Sequence, residues 1–228
     1  MRILFLFLAL AMPLSAVAQS PTPTPTLEPV DEADIDASFV TYRDALIAAV
    51  VARDIDAILA MAAADIMLSF GGDAGHDALR AFLEVDPEQF SPDQKHEAPA
   101  LRERNWAELE TVLRLGGLFR DDGTFVAPYT FAAQQPADMD PFEVLFITGS
   151  GVALRDRPIR FGNVVTRLNY DVVTFRNWVT GTQFVELEMA DGTKGFVHRD
   201  FARFLLDHRA IFAKVDGSWT MTHFIAGD

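Results

Sequence analysis

The sequence predicts an α+β protein: an N-terminal helical and sheet domain, then a small all-β barrel, then a C-terminal β-hairpin. Three observations predict it. Half of the 228 residues are hydrophobic, enough for a packed core and too many for a wholly disordered chain. Apolar residues recur at three- and four-residue spacing in the first half, and alternate with polar ones beyond Asp140-Pro141. Charge changes at the same place: residues 31–140 carry 22 acidic and 8 basic side chains, whereas residues 141–228 carry 10 of each.

Residues 1–18 form an export signal by pattern. Arg2 precedes an apolar run over residues 3–12, and Ala16-Val17-Ala18 supplies the small side chains that signal peptidase accepts. The run is shorter than the roughly 20 residues of a membrane span. Cleavage there starts the mature chain at Gln19, periplasmic or secreted, with no membrane insertion. In residues 19–30, Pro21, Pro23 and Pro25 alternate with threonine, a polyproline pattern suited to a semi-rigid spacer or a disordered N-terminus.

Residues 31–140 are expected to form the acidic α+β domain. Asp36 caps a helix over 37–52 whose inner face is Phe39, Tyr42, Leu46, Ala49 and Val50. Asp54 or Asp56 caps a second helix with Ile58 and Leu59 inward. Ile66, Leu68 and Phe70 alternate as a strand, ended by Gly71-Gly72. Asp77 caps a third helix bearing Leu79 and Leu83, residues 86–98 are loop, and a fourth helix carries Trp106, Leu109, Val112 and Leu113 to the Gly116-Gly117 stop. Asp122-Gly123 turns a short hairpin, and Tyr129 to Ala132 is read as an edge strand after Pro128.

Residues 141–206 are expected to form the barrel. Apolar stretches at 142–148, 152–154, 164–170 and 184–189 are separated by glycine-bearing turns, including Asp191-Gly192. Residues 207–228 make the hairpin around Asp216-Gly217; two strands are marginal alone, so it must pack on another element.

The absence of cysteine excludes a disulfide scaffold, thiolate metal sites, a cysteine nucleophile and a lipoprotein anchor. A net charge of −14 argues against a nucleic-acid partner, which needs a basic surface. Ser150 stands between glycines without a surrounding G-x-S-x-G, so it reads as a turn residue. The five histidines show no ligand spacing, and the acidic run at 31–36 lacks a calcium-loop glycine, so no metal or cofactor is expected. Arg155, Arg157, Arg160, Arg167 and Arg176 form a local basic cluster, suited either to an anionic ligand or to docking on the acidic first half.

Two stretches resemble known families. The order helix, helix, strand, "GGDAGHDALRAFL" over residues 39–83 resembles the opening of nuclear transport factor 2-like (SnoaL-like) domains. That resemblance implies a curved sheet closed by helices around a cone-shaped cavity, with Asp65 and His76, beside Asp77, as an acid/base pair for a small hydrolase or isomerase. "VALRDRP" (152–158), "VVTRLNYDVVTF" (164–175) and "FVELEMADGTKGFVHRDF" (184–201) resemble the successive strands of the bacterial SH3-like (SH3b) domain, with Asp171 at a glycine position and Phe184 and Phe196 at tryptophan positions. It implies a peptide groove lined by Tyr170, Trp178, Phe196 and His198, with Arg155 for a carboxylate. The expectation is therefore a non-enzymatic exported protein of the Gram-negative envelope that binds a cell-wall peptide or an envelope protein; the acid/base enzyme is the alternative.

Overall fold

The computed structural model describes residues 23–133 and 139–227, so the expected export signal lies outside the described residues. The chain is mixed α and β, with helices concentrated in the first half and strands in the second, arranged as two sheets.

Local chemistry sets the first helices. The Asp36 carboxylate accepts from the backbone N–H of Ser38 (2.8 Å) and Phe39 (3.3 Å), starting α1 (Ala37–Ala52). Asp54 caps α2 (Ile55–Met61) through the Ala57 N–H. The chain passes directly into β1 (Ala62–Met67), earlier than the alternation at Ile66, Leu68 and Phe70 predicts. Leu68 instead bonds back to the Asp73 carbonyl (2.9 Å), so Leu68 and Phe70 belong to a turn. α3 (Gly75–Glu84) begins two residues before Asp77, which does not cap it. Asp77 sits in the first turn, where a carboxylate faces the positive helix end. Two 3-10 turns occupy the expected loop before α4 (Ala98–Arg114). Gly116 then takes φ +76°, and a Cβ there would sit 2.6 Å from the Val30 carbonyl oxygen.

The expected hairpin follows as β2 (Leu118–Phe119) and β3 (Phe125–Ala127). Tyr129–Ala132 is a single helical turn, α5, and not a strand. The Pro128 carbonyl accepts from both Phe131 and Ala132 (3.0 Å each), and the turn buries Tyr129, Thr130 and Ala132, a pattern that alternation cannot report.

The second half contributes β4 (Val144–Ile147), β5 (Ser150–Arg155), β6 (Val164–Asn169), β7 (Val172–Trp178), β8 (Phe184–Glu188), β9 (Lys194–His198) and β10 (Ala202–Phe204). The terminal hairpin is β11 (Arg209–Val215) and β12 (Ser218–Ile225). The first sheet runs β1-β12-β11-β3-β2, with β1 parallel to β12, so the terminal hairpin fills its centre. The second sheet runs β10-β4-β7-β8-β9-β5-β6 and does not close, which corrects the barrel expectation. Leu145 of β4 and Leu168 of β6 nevertheless share one core with Leu154, Val185 and Val197, so this sheet is curled. Its edge strands, β10 and β6, do not pair, and inside the sheet β5 pairs with β9 only through Arg155 and Phe196.

Helices α1–α4 pack on the first sheet over an aromatic centre. The Phe39 ring lies 4.3 Å from Phe125, 4.9 Å from Trp219 and 5.4 Å from Phe212. The helix start is also tied to the hairpin: Lys214 donates to Asp36 (2.8 Å) and Trp219 Nε1 donates to Ser38 Oγ (3.1 Å).

Among the described residues, two sets of contacts join the halves. Residues 25–32 form a strap: the Pro25 carbonyl accepts from Val172 (2.7 Å), Leu27 N–H donates to the Tyr170 carbonyl (2.8 Å), and Glu32 binds Gly117 (2.9 Å) and Phe119 (2.8 Å). The described part of the proline-rich segment is thus held on the fold. The second connection is a clasp in which buried Arg203 of β10 donates to Glu108 of α4 (2.7 Å) and to the His208 carbonyl. The His208 ring stacks on Phe224 at 4.8 Å. Burial alone would raise the Glu108 pKa, but hydrogen bonds from His208 and Arg203 outweigh it and hold the carboxyl down at about 2. The five arginines of the basic cluster do not make this contact. Arg176 pairs with Glu188 (2.9 Å) and Glu143 (3.7 Å), Arg167 donates to the Gly151 carbonyl (2.7 Å), and Arg157 lies beside Asp156 (3.7 Å), all within the second half.

Removing one partner of the clasp leaves a buried charge uncompensated. Arg203→Met is expected to cost about 3 kcal/mol in urea unfolding, with the double variant Glu108→Leu/Arg203→Met recovering most of it. The Glu108 contribution is complete above its unfolded pKa and is lost as pH falls through the folded value of about 2. The stability gap between wild type and Glu108→Gln should therefore narrow as pH is lowered from about 5 towards 2. At the helix start, Asp36→Ala should lower the thermal midpoint by about 2–4 °C, and Asp36→Asn by less because an amide oxygen still caps.

Candidate binding site

The site grows from the failed β5–β9 ladder. At one end Arg155 and Phe196 pair, and Gly195 allows the approach: a Cβ there would meet the Arg155 carbonyl oxygen at 2.7 Å. At the other end Thr148 N–H donates to the Phe201 carbonyl (3.0 Å). Between these ties the strands splay and leave a cleft of about 590 Å³. Its apolar surface comes from Val152, Pro158, Phe184 and Phe201, and its polar groups from Arg155, Arg160, Thr182, Gln183, His198 and Asp200.

Strand periodicity explains this division. Val185, Leu187 and Val197 enter the core, so Phe184 and His198, cross-strand partners, lie together on the opposite face, where Phe184 is itself buried. Their rings meet edge to face at 5.3 Å. His198 is oriented by Asp200, whose Oδ2 lies 3.2 Å from Nδ1. The Arg155 guanidinium donates to the Gly162 carbonyl (2.8 Å), which holds the loop over residues 156–163 against the cleft. Arg160, on that loop, makes no ion pair or hydrogen bond among the described residues. Two guanidiniums beside an apolar floor suit a ligand that combines carboxylate and apolar groups.

Of the predicted groove residues, Arg155 and His198 meet here. Phe196 shares the outward face two residues from His198 but does not line the cleft. Tyr170 is elsewhere: it takes φ +55° in the β6–β7 turn, donates to the Gly149 carbonyl (3.1 Å) and receives Leu27. Trp178 is also elsewhere, half exposed at the end of β7. It packs between Phe175 (5.4 Å) and Phe204 (5.5 Å) under the Arg199 guanidinium, beside a smaller recess against α4. Sequence reasoning missed Arg160 and Phe184 as lining residues. The signals were present in the basic cluster and in the phenylalanine that stands at a family tryptophan position.

Asp65 and His76 make no hydrogen bond or ion pair with each other among the described residues. Asp65 is exposed on β1, whereas the His76 ring nitrogen lies 3.3 Å from the Ala62 carbonyl oxygen. Phe39, Leu46, Ile58, Leu83, Leu109, Phe125, Phe212 and Phe224, all essentially without solvent exposure, fill the core between these helices and the first sheet. Ser150 donates to the Asn169 amide oxygen (2.7 Å), a group too weakly basic to activate a nucleophile. No family model, curated protein or solved structure matches the chain.

Proposed function

We propose that the chain is a non-enzymatic, exported binding protein of the cell envelope, and that its second half holds a carboxylate-bearing wall peptide in the β5–β9 cleft. The observation that carries this reading is the convergence of Arg155 and Arg160 beside the Phe184–His198 floor, with Arg160 uncommitted among the described residues. A guanidinium fork binds a carboxylate in two parallel hydrogen bonds, and the aromatic floor buries the adjoining aliphatic part of a peptide. The likeness of residues 152–158, 164–175 and 184–201 to SH3b strands supports a binding role, with the open, curled sheet as a relaxed form of that barrel. The sheet order of the first half, with its parallel β1–β12 pair, supports a nuclear transport factor 2-like scaffold whose interior is filled and which serves as the support.

Titration with a synthetic wall tetrapeptide bearing free carboxylates, followed by amide NMR, tests the reading. Shifts should concentrate in residues 150–155, 182–184 and 198–201. Arg160→Ala should weaken binding by about tenfold, and added salt should weaken it further. Equal binding of a peptide with amidated carboxyls, or shifts confined to the Trp178 recess, would overturn it.

A further inference from the structure

The loop between β5 and β6 has a feature that the cleft does not use. Phe161 is 88% exposed, and Ile159, Val164 and Val165 are each exposed by more than two-fifths. The register slips between Leu154 and Arg155 on β5, opposite Thr166 and Val164, so Val165 is an extra residue on β6 and both valines turn outward. Arg157 and Arg160 flank Ile159 and Phe161. The acid nearby, Asp156, is engaged by Asn163 (2.8 and 2.9 Å) and by Arg157 (3.7 Å).

The base of the loop is held by its own hydrogen bonds. Asp156 N–H donates to the Asn163 carbonyl (3.0 Å), Ile159 to Arg157 (2.8 Å), and Gly162 to Ile159 (3.0 Å), while Pro158 has no N–H to satisfy. The Gly162 carbonyl accepts from Arg155 (2.8 Å), and a Cβ at Gly162 would come within 2.9 Å of the Arg157 carbonyl oxygen. The N–H groups of Arg157, Arg160 and Phe161 have no partner among the described residues, which suits a contact confined to the hydrated headgroup region and not the apolar interior.

We propose that this loop is a peripheral membrane contact: Phe161 and Ile159 enter the headgroup region of an anionic bilayer while Arg157 and Arg160 meet lipid phosphates. Charge complementarity selects an anionic lipid surface, since the tip is cationic on a chain whose net charge is −14. The excess negative charge lies in residues 31–140, and physiological salt screens it beyond about 8 Å. The contact crosses no bilayer, and no helix among the described residues is long and apolar enough to do so. It goes beyond the proposed peptide cleft: the two share Arg160, but Ile159 and Phe161, which carry the membrane contact, do not line the cleft.

The test is co-sedimentation of the chain lacking residues 1–18 with vesicles of phosphatidylcholine alone or containing phosphatidylglycerol. Binding is expected to the anionic vesicles, to fall with salt, and to drop about tenfold or more in Phe161→Ser at an unchanged thermal midpoint. Arg157→Gln should lower it less. Absence of binding to anionic vesicles, equal binding to neutral ones, or a wild-type result for Phe161→Ser overturns the proposal. Self-association that Phe161→Ser abolishes would overturn it in favour of a protein interface.

Discussion

The pairing of β11 with β3 is the constraint on which the rest of the molecule depends. Ala210, Ile211 and Phe212 lie opposite Ala127, Val126 and Phe125, although more than eighty residues separate the strands. Everything between them must leave the first sheet and return to the neighbouring position. The second sheet is therefore hosted by the first, with its two ends rooted close together. The clasp of Glu108 and Arg203 sits at that root, where β10 hands the chain back to β11. Burying a guanidinium there is favourable only because a carboxylate and a backbone carbonyl meet it, so orientation between the sheets is set by charge pairing as well as by packing.

Elements determined by neighbours in sequence were legible. Asp36 and Asp54 cap because a short carboxylate reaches N–H groups two or three residues on, and the Asp-Gly turns at 122–123 and 216–217 supply positive φ. The buried stripe of α4 contains Trp106, Leu109, Val112 and Leu113 as their spacing predicts, and adds Ala98, which lies in the stretch expected as loop. Elements determined at a distance were not legible. Parallel pairing of β1 with β12 moves that strand onto alanines, which carry no alternation. Tyr129 and Phe131 look like strand residues until the Pro128 carbonyl closes a helical turn over them. The site follows the same division. Arg155 and His198 were legible from their places in the strand motifs. Tyr170 and Trp178 were drawn away by contacts with Leu27 and Phe204, which lie far off in sequence or outside the motifs.

The cleft follows from an unfinished ladder. The β5–β9 ladder holds a single pair, at Arg155, and the cleft lies beside it, with Phe184 and His198 in its lining. Gly195 keeps that pair close, and the Thr148–Phe201 bond limits the gap at the other end. The opening is thus bounded at both ends by backbone contacts and needs no mobile lid to define it.

The strap has a mechanical consequence. Its bonds to Tyr170 and Val172 come before its bonds to Gly117 and Phe119, counting from residue 23 inward. A load applied at the N-terminal end would act first on the curled sheet and would reach the helical half only after those bonds had sheared. The helical half is in this sense strain-relieved, as a cable is by a clamp ahead of its connector.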